Sequence, residues 1–417
     1  MSITLVKKLK LYTVFFFAIL FAFFIINAHA EVHDEAFIAW LDALKEEARA
    51  NQISDRTIQA TFQHAKLLPH VIALDRSQPE FISPFLSYLE KRVNADQIAL
   101  ARQMLQTHED LLTQVEAQYG VPKEIIIAFW GMETNYGNNK GNFGLPSTLM
   151  TLAYEGRRST FFRSQLMDTM RVIDAGHNTV SGMRGSWAGA MGHMQFMPST
   201  LLKYGVDADS DGRINIWTSL DDAFASAANY LAKVGWRKKE ITALEVKLPV
   251  NFDYSQAQLQ TRKTTAEWAA LGVVDVKHDA LPAQENAAIL LPQGWQGPAF
   301  MVFSNFDVVM DWNRSVNYAL SVSHLANQLQ ADKPVIGGAE AEKSALSYNQ
   351  IWAIQAKLNT LGFECGEPDG FPGFMTQAAI RAYQATQQLP QDGFASPSLY
   401  QRLLMPSLVA PQTATLE

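Results

Sequence analysis

The sequence predicts a mainly α-helical protein that carries a small inserted β-sheet subdomain and ends in a separate helical module. Three observations predict this class. Helical periodicity continues almost without interruption from Asp34 to about Gly235, short alternating apolar runs follow between roughly 241 and 310, and two Asp-Gly-Phe turns divide the C-terminal part. At 417 residues the chain is too long for one ordinary core, so we expect two or three domains.

The N-terminal segment has the layout of a secretory signal, which we place at 1–30. Three lysines precede the apolar run "VFFFAILFAFFII", and "AHA" stands before Glu31. The run is shorter than the roughly 20 residues that a spanning helix needs, although an uncleaved anchor stays open. The single cysteine, Cys365, is far from the cleavage site, so the sequence does not predict a lipoprotein. We therefore expect a periplasmic protein.

Charge and cysteine content narrow the function classes. The chain has 34 Lys and Arg against 41 Asp and Glu, a formal net charge of −7, which disfavours a nucleic-acid partner. One cysteine forms no internal disulfide, so the stability must come from buried cores.

The helical part, together with the insert, is expected to form one domain over 31–331. Ser54 has the position of an N-cap before "DRTIQATF", and "ADQIALARQMLQTHEDLLTQVEAQYG" is typical of one long helix that Gly120 closes. Pro122 is suited to begin the next helix, because the N–H that proline lacks would be unpaired there.

The rest of the chain is predicted to be a β-rich insert, a linker and a module. The runs "ALEVKLPV", "AAILLP" and "AFMVFS" suggest a small sheet within about 241–310. A polar, aperiodic stretch of small residues predicts a linker at 332–346. A helical module is expected at 347–406, with a tail at 407–417, and its core candidates are Ile351, Ile354, Leu358, Ile380, Tyr383 and Leu403.

Glu133 is the first candidate for chemistry. It ends the apolar run "PKEIIIAFWGM", and helical spacing places Phe129, Trp130 and Ile126 on its side of the helix. Such surroundings desolvate a carboxyl group and favour its protonated form, which a general acid requires. An acid that faces water at a helix exit is the alternative. The polar loop "TNYGNNKGNFG" that follows favours a site.

The stretch "GSWAGAMGHMQFMPST" is the second candidate. Small residues alternate there with Met and aromatic residues, and Ser186 and Gln195 are among its few hydrogen-bonding side chains. A Gly/Ala-rich turn lets a ligand approach the backbone, and the apolar side chains suit sugar faces. A tight contact between helices would explain the small residues equally well. His193 is expected to be an ordinary, partly exposed histidine, since no second histidine or cysteine stands at metal-binding spacing.

The stretch "DADSDGRIN" follows the first half of an EF-hand calcium loop. Asp207, Asp209 and Asp211 occupy positions one, three and five, and Gly212 follows at six. Thr218 stands at position twelve, where a bidentate Glu is usual, so Asp221 or Asp222 would have to complete the ligand shell. A solvated acidic turn is the alternative that needs no metal.

With these motifs in hand, the sequence resembles the lytic murein transglycosylase B family (glycoside hydrolase family 103), whose helical core is lysozyme-like. The motifs "FWGMETNYG", "GSWAGAMGHMQFMPST", "YGVDADSDGRINIW" and "WNRSVNYALSV" follow in the family's order. The C-terminal module resembles the three-helix peptidoglycan-binding domain through "LNTLGF", "DGFPGFMTQAAIRAYQ" and "LPQDG".

The resemblance implies a reaction without water. Glu133 would protonate the β-1,4 glycosidic oxygen between N-acetylmuramic acid and N-acetylglucosamine in peptidoglycan. The same group would then take the proton from the muramoyl C6 hydroxyl, which attacks C1 and forms a 1,6-anhydro ring. An internal nucleophile removes the need for the second carboxylate that ordinary glycosidases use. Glu155 or Asp168 could still fold beside Glu133 and supply one.

The resemblance also implies the roles of other residues. Ser186, Gln195 and Asn313 would bind the sugar, and Tyr230 and Tyr318 would line the groove. Trp312 stands where tyrosine is common and lacks its hydroxyl, so it is left out of the site. Calcium would be structural, with the ligands Asp207, Asp209, Asp211, the Arg213 carbonyl and Asp222. No cofactor is expected in catalysis.

Two other functions stay open on the sequence alone. A hydrolytic muramidase would present a similar acid and cleft, and a non-catalytic wall-binding protein would need neither. Glycan strands of peptidoglycan are the expected partner, and a monomer is the default.

Overall fold

A computed structural model of the chain describes residues 35–63, 65–76, 83–155, 158–331 and 334–405. The expected signal at 1–30 and the tail at 407–417 lie outside these residues. None of the helices in the described part combines the length and the apolar composition that a bilayer-crossing segment requires.

The described chain forms two compact units. The first contains the residues up to Arg76, Asn142–Ala190 and Met197–Leu202, and the second contains Ser77–Gly141, Met191–Phe196 and the residues from Lys203 onward.

The described part of the first unit is mainly helical and contains one pair of two-residue strands. Its helices are α1 (35–50), α2 (Asp55–Phe62), α3 (Pro69–Arg76), α8 (Leu145–Glu155), α9 (Ser159–Asp174) and the start of α10 (Pro198–Tyr204). Ser54 caps α2 as expected, because its hydroxyl accepts the Thr57 N–H at 3.3 Å. The hydroxyls of Ser54 and Thr57 both donate to the Asp174 carboxylate, which joins the end of α9 to the start of α2. The pair joins β1 (Phe143–Gly144) to β2 (Arg184–Gly185) in antiparallel register, on either side of α8 and α9, and was not expected from the sequence.

Before its C-terminal module, the second unit contains the helices α4 (Phe85–Arg92), α5 (Ala95–Thr107), α6 (Glu109–Tyr119), α7 (Lys123–Thr134), α11 (Leu220–Lys233), α12 (Thr265–Ala270), α13 (Ser304–Trp312) and α14 (Val316–Ala331). The apolar helix α7 packs against α5, α6, α11 and α14. Every residue of α7 from Ile125 to Trp130 is buried. A helix that is apolar all round is stable only when neighbours cover it on all sides.

The prediction of one long helix before Gly120 was wrong. The chain leaves helical geometry at His108 (φ −112°, ψ 23°), which ends α5 and begins α6. The break lets the His108 ring pack edge-on against Trp130 and Phe224, at centroid distances of 5.5 and 6.1 Å. Gly120 closes α6 in the left-handed conformation, as expected. Pro122 stands at the N-cap of α7, one position before the predicted one.

The predicted β-rich insert is confirmed as a four-stranded antiparallel sheet. Its strands are β3 (Ala243–Lys247), β4 (Val274–Asp275), β5 (Ala288–Leu290) and β6 (Ala299–Val302), in the order β4-β3-β6-β5. Leu244 pairs with Met301, which pairs with Ile289 on its other side. The fully buried Trp268 packs under this sheet and donates its indole N–H to the Ala287 carbonyl at 2.9 Å.

Hydrogen bonds anchor the described part of the segment after α14 at two points. The Glu245 carboxylate accepts the N–H groups of Ile336 at 2.9 Å and Gly337 at 2.6 Å. Farther on, the Glu342 carboxylate accepts the Ser398 hydroxyl at 2.5 Å, and its backbone carbonyl accepts the Gln293 amide at 2.8 Å. The expected linker is therefore hydrogen-bonded both to the β-rich insert, through Glu245 and Gln293, and to the C-terminal module, through Ser398.

The C-terminal module consists of α15 (Tyr348–Thr360), α16 (Phe374–Thr386) and α17 (Pro397–Leu404). All six predicted core residues are buried in one cluster, which also holds Cys365. Both Asp-Gly turns have a left-handed glycine, Gly370 at φ 72° and Gly393 at φ 71°, as a turn between helices requires.

Candidate active site

Glu133 lies one residue before the end of α7 and is half-buried. Directly after the helix, Asn135 (φ 49°) and Tyr136 (φ 56°) both adopt the left-handed conformation, and Gly137 follows at φ 83°. Consecutive left-handed residues other than glycine are strained, and such strain is concentrated at functional sites. The turn ends the helix at once, so the Glu133 side chain stands at its terminus.

Hydrogen bonds from two aromatic side chains help to hold the Glu133 carboxylate. Trp312 on α13 donates its indole N–H to Oε1 at 2.9 Å, and Tyr318 on α14 donates its hydroxyl to the same oxygen at 2.5 Å. Phe129, one turn before Glu133, packs against the Trp312 ring at a centroid distance of 4.4 Å. The aromatic side chains thus fix the position of one carboxylate oxygen.

The electrostatics of this group depend on Tyr318. Burial, and then the negative charge of Glu133, raise the pKa of the Tyr318 hydroxyl well above its ordinary value. Tyr318 therefore stays protonated and acts only as a donor to Glu133. The two donors stabilise the carboxylate charge, whereas the apolar surroundings favour the protonated acid. A group balanced in this way can give and take a proton.

A buried polar chain supports the end of α7. The Trp130 indole N–H donates to His193 Nδ1 at 3.0 Å, and Lys140 Nζ lies 3.2 Å from His193 Nε2. The Thr134 hydroxyl donates to the His193 backbone carbonyl at 2.8 Å. Burial, with the nearby Lys140 charge, lowers the pKa of His193 to about 4. The expectation of a partly exposed histidine was wrong, because this ring joins the glutamate helix to the 191–196 loop.

Gln195 belongs to that loop and has a left-handed backbone (φ 49°). Met191 and Phe196 pair across the loop, and Gln195 Nε2 donates to the carbonyls of Lys140 and Gly192, both at 3.1 Å. Its amide oxygen accepts no hydrogen bond from the described residues. Gln195 can therefore offer its amide oxygen as an acceptor, because the two hydrogen bonds of Nε2 fix the orientation of the amide group.

Tyr230 and Asn313 are the remaining candidates of the second unit. Tyr230, on α11, packs edge-on against the Trp312 ring at 5.1 Å and against Tyr204 at 4.8 Å. Burial, and then the charge of Asp311, raise the pKa of Tyr230 to about 12. Asn313 follows α13 directly and is exposed. Tyr230 thus shares the Trp312 ring with the glutamate site, and Asn313 neighbours Trp312 in the chain.

Ser186 lies in the first unit. Its hydroxyl accepts the Ala190 N–H at 3.0 Å within a tight turn that also pairs its backbone with Ala190. Glu155 and Asp168, which the sequence left open as a second acid, also belong to the first unit. Asp168 accepts a hydrogen bond from Arg171 at 2.6 Å.

The acidic loop brings three of its predicted ligands together. Carboxylate oxygens of Asp207, Asp209 and Asp211 lie within 4.8 Å of one another. Asp207 also accepts the N–H groups of Asp211 and Gly212, which folds the loop around its first residue. Three carboxylates are a donor set of hard oxygens, which Ca²⁺ prefers. The residues present therefore fit a calcium ion.

Asp222 and Arg213 are placed differently. Asp222 is fully buried in the first turn of α11, and its two oxygens accept the N–H groups of Ala208 at 2.8 Å and Asn215 at 2.6 Å. Its side chain thus joins the two ends of the loop. The Arg213 N–H donates to Asp211 at 2.8 Å, and its side chain is exposed.

Residues 36–327 match the family described as the transglycosylase SLT domain. This chain belongs to the transglycosylase SLT domain family. Residues 347–403 match a second family, described as a peptidoglycan binding domain. The chain is also 30% identical over 284 residues to membrane-bound lytic murein transglycosylase B of Escherichia coli K12, covering 64% of this chain and 76% of that protein.

Solved structures of this transglycosylase family share the fold. SltB3 of Pseudomonas aeruginosa in complex with NAG-anhNAM-pentapeptide is 40% identical, has a TM-score of 0.85, and covers 88% of this chain and 99% of its own. Escherichia coli lytic transglycosylase Slt35 in complex with calcium is 28% identical, has a TM-score of 0.61, and covers 70% of this chain and 92% of its own.

Within this transglycosylase SLT domain, sequence reasoning missed the contact of Trp312. The loss of a tyrosine hydroxyl was the reason to leave Trp312 out of the site, yet an indole N–H is itself a donor and reaches Glu133. Trp312 and Glu133 are 179 residues apart in the chain, so no local pattern connects them. The signal that could have revealed the contact is that tryptophan, like tyrosine, has a hydrogen-bond donor on its ring.

Proposed function

We propose that this chain is a lytic transglycosylase. It cleaves the β-1,4 bond between N-acetylmuramic acid and N-acetylglucosamine in peptidoglycan without water and leaves 1,6-anhydro-N-acetylmuramic acid ends. The observation that carries the proposal is the Glu133 carboxylate, half-buried at the end of a buried helix and bonded to Trp312 and Tyr318. Membership of the transglycosylase SLT domain family and the anhydro-sugar ligand of the SltB3 structure support it.

In this mechanism Glu133 acts twice. The hydrogen bonds from Trp312 and Tyr318 to Oε1 hold the carboxyl group in place for both steps. The protonated Glu133 carboxyl group gives its proton to the glycosidic oxygen as the bond to C1 breaks, and the resulting carboxylate accepts the proton of the muramoyl C6 hydroxyl as that oxygen attacks C1. The proton removed in the second step replaces the one given in the first, so the enzyme returns to its initial state. Tyr318 and Trp312 stabilise the carboxylate between the two steps.

The sugar is held by groups at fixed positions. Gln195 offers its amide oxygen to an acetamido N–H, and Asn313 offers its amide to sugar hydroxyls. Tyr230 presents an aromatic surface next to Trp312, whereas the buried Tyr318 acts through its hydrogen bond to Glu133. In the first unit, the Ser186 hydroxyl is a further group for binding the glycan. Polar groups held by the protein are effective because they need not reorganise when the substrate binds.

We further propose that calcium binds the loop of Asp207, Asp209 and Asp211, with the Arg213 carbonyl as a further ligand. Asp222 contributes by fixing the backbone of the loop. The ion would stabilise the start of α11, which carries Tyr230, and take no part in bond cleavage. The calcium complex of the relative Slt35 supports this proposal.

Location and organisation complete the proposal. The chain acts in the periplasm after export through a cleaved signal at 1–30. The domain at 31–331 cuts glycan strands, the segment 332–346 connects it to the module at 347–406, and that module keeps the enzyme on its polymer. The match of 347–403 to a peptidoglycan binding domain supports this division of labour.

The test is mass spectrometry of purified murein digested with the mature chain. Anhydro ends are the expected product, and hydrated reducing ends would point instead to a hydrolytic muramidase. Glu133→Gln should reduce release of soluble fragments by at least about 100-fold, because proton transfer by the only acid assigned to both steps is lost.

Glu124→Gln is the matched control, since Glu124 lies in the first turn of the same helix and should leave activity unchanged. Undiminished lysis by the Glu133 variant would instead assign the chain to non-catalytic wall-binding proteins.

A further inference from the structure

The C-terminal module contains the same hydrogen-bonded turn twice. In the first copy Gln355 Nε2 donates to Asp369 Oδ1 at 2.8 Å, and the Phe371 N–H donates to the same oxygen at 2.9 Å. In the second copy Gln384 Nε2 donates to Asp392 Oδ1 at 2.7 Å, and the Phe394 N–H does so at 2.9 Å. In both copies the glutamine oxygen accepts the N–H of the turn glycine. The two turns are therefore structurally equivalent.

The second turn is occupied by another part of the same chain. Its remaining carboxylate oxygen, Asp392 Oδ2, accepts the backbone N–H of Trp295 at 2.9 Å. A Cβ added at Gly294 would lie 3.0 Å from the Phe394 ring, so the ring contacts a residue without a side chain. This turn thus binds a peptide segment through one amide N–H and one small residue.

Neighbouring positions of the second copy take part in the same contact. Arg381, three residues before the repeated glutamine, donates to the Ala257 carbonyl at 3.4 Å. Ser398, six residues after the repeated aspartate, binds Glu342. One face of the second copy is therefore covered by the rest of the chain.

The equivalent face of the first copy is open. Trp352 is at the position equivalent to Arg381, and Met375 is at the position equivalent to Ser398. The Trp352 side chain is 46% exposed and the Met375 side chain is 53% exposed. Tyr348, one helical turn before Trp352, is 46% exposed and packs edge-on against Phe371 at 5.7 Å. Asp369 is exposed, and its Oδ2 accepts no hydrogen bond from the described residues. We call Tyr348, Trp352, Asp369, Phe371 and Met375 the first-turn face.

We propose that the first-turn face binds the stem peptide of peptidoglycan. An amide N–H of the peptide donates to Asp369 Oδ2, as the Trp295 N–H donates to Asp392, and a small side chain next to it packs on the aromatic rings. Stem peptides are rich in alanine, so they supply amide N–H groups beside methyl groups. This inference rests on the proposed function, which makes peptidoglycan the polymer that the module meets.

The internal comparison favours a peptide over a bare sugar chain. The second turn holds a backbone amide next to a glycine, and the first turn keeps the same acceptor and the same phenylalanine. Where the second copy has the cation Arg381, the first has Trp352, which enlarges the apolar area and removes a positive charge. The face consequently suits a donor with a small apolar neighbour.

The test measures binding of a synthetic stem pentapeptide to the full mature chain that carries Glu133→Gln, by calorimetry or NMR titration. Asp369→Asn should weaken binding about tenfold or more, because the ligand's N–H then meets an amide NH₂ group. The asparagine oxygen can still accept from Gln355 and Phe371, so the turn stays folded. Trp352→Ala should weaken binding similarly. Leu361→Ala is the matched control, an exposed apolar residue of the module outside the face.

Two results would overturn the inference. One is unchanged affinity of the Asp369→Asn variant for the pentapeptide. The other is binding of peptide-free glycan strands, prepared by amidase digestion, in place of the pentapeptide. Because binding is measured without catalysis, a chain that binds the pentapeptide through this face but forms no anhydro ends would overturn only the proposed reaction.

Discussion

At the scale of single residues, the state of Glu133 depends on two donors that come from different helices. Trp312 and Tyr318 both donate to Oε1, so the two side chains fix the position of that oxygen. Tyr318 is buried, and its raised pKa keeps it a donor throughout the working pH range. The aromatic residues therefore position the acid as well as enclosing it.

Removal of either donor should slow the reaction without much change in substrate binding. Tyr318→Phe keeps the ring, and Trp312→Phe keeps a smaller aromatic ring. Each change deletes one hydrogen bond to a charged group, which stabilises by about 1.5–3 kcal/mol. We expect kcat to fall about tenfold or more, KM to change little, and the pH profile of kcat to move to higher pH, since the carboxylate loses stabilisation.

Steady-state kinetics against pH provide the measurement. Trp236→Phe is the control, because the buried Trp236 indole N–H has no partner among the described residues, so this change loses packing but no hydrogen bond. An equal fall of kcat in the control would contradict a positioning role for Trp312.

Some residues of the site could be predicted from the sequence, and others could not. Glu133 was recognisable because its surroundings in the chain already desolvate it. Trp312 was not, because the contact depends on how α13 packs against α7, and no local pattern encodes that. The prediction that His193 is partly exposed was wrong for a similar reason, because Trp130 and Lys140, which contact its ring, come from other segments of the chain.

At the scale of elements, the turn after α7 carries the strain of the site. Gly137 combines a left-handed backbone with a close approach, since an added Cβ would lie 2.6 Å from the His193 ring. Asn135 and Tyr136 are left-handed without being glycine. The polar chain of Trp130, His193 and Thr134 holds this turn in place.

Gly137→Ala should therefore both destabilise the protein and disturb Glu133. The left-handed backbone costs roughly 1–2 kcal/mol for alanine, and the overlap with His193 adds about 1–3 kcal/mol. Denaturant unfolding measures the loss. Gly176→Ala is the matched control, because Gly176 has φ 79° but open space around it, so only the backbone cost applies. Equal losses in the two variants would refute the close approach.

The acidic loop is the second element with a testable role. Calcium at about 100 times its Kd should raise the free energy of unfolding by about 2.7 kcal/mol. Asp207→Asn or Asp211→Asn should abolish that increase, because the cluster loses a carboxylate. Thermal melts with calcium and with excess chelator provide the measurement, and Asp253→Asn, in a turn outside the loop, is the control. Identical melting temperatures in calcium and chelator would count against a bound ion.

Elements were predictable where their ends are encoded locally. The cap at Ser54 and the left-handed close at Gly120 are set by neighbouring residues, and both are present. The break at His108 is not encoded locally, because it is stabilised by ring contacts with Trp130 and Phe224. The strands β3, β5 and β6 of the insert were visible as apolar runs, whereas β1, β2 and β4 have only two residues each and give no periodic signal.

At the scale of the whole molecule, buried histidines link stability to pH. Burial lowers the pKa values of His193 and His324 to about 4, from an ordinary value of 6.5. Between these pH values the unfolded chain binds more protons than the folded one, so stability rises with pH there. The two histidines thus contribute stability that is lost as pH falls from about 6.5 to about 4.

His324→Gln should reduce this pH dependence. One strongly shifted histidine contributes a slope of up to about 1.4 kcal/mol per pH unit, so the variant should lose about that much of the slope between pH 4 and 6.5. Urea unfolding at several pH values measures it. His278→Gln, a change at an exposed histidine, should leave the slope unaltered. A variant whose slope equals that of the unmodified chain would contradict the assignment.

The anchored segment after α14 has a consequence for how the enzyme would work on a long polymer. Glu245 and Glu342 hold that segment at both ends, and Asp392 holds the module against the Trp295 backbone. A free tether would let the module search a wide volume, with an effective concentration set by chain statistics. Here the distance between the peptidoglycan-binding module and the active site at Glu133 is fixed instead. We therefore expect the enzyme to cleave at a set distance from the place where the module binds, so the released fragments would have a narrow distribution of lengths.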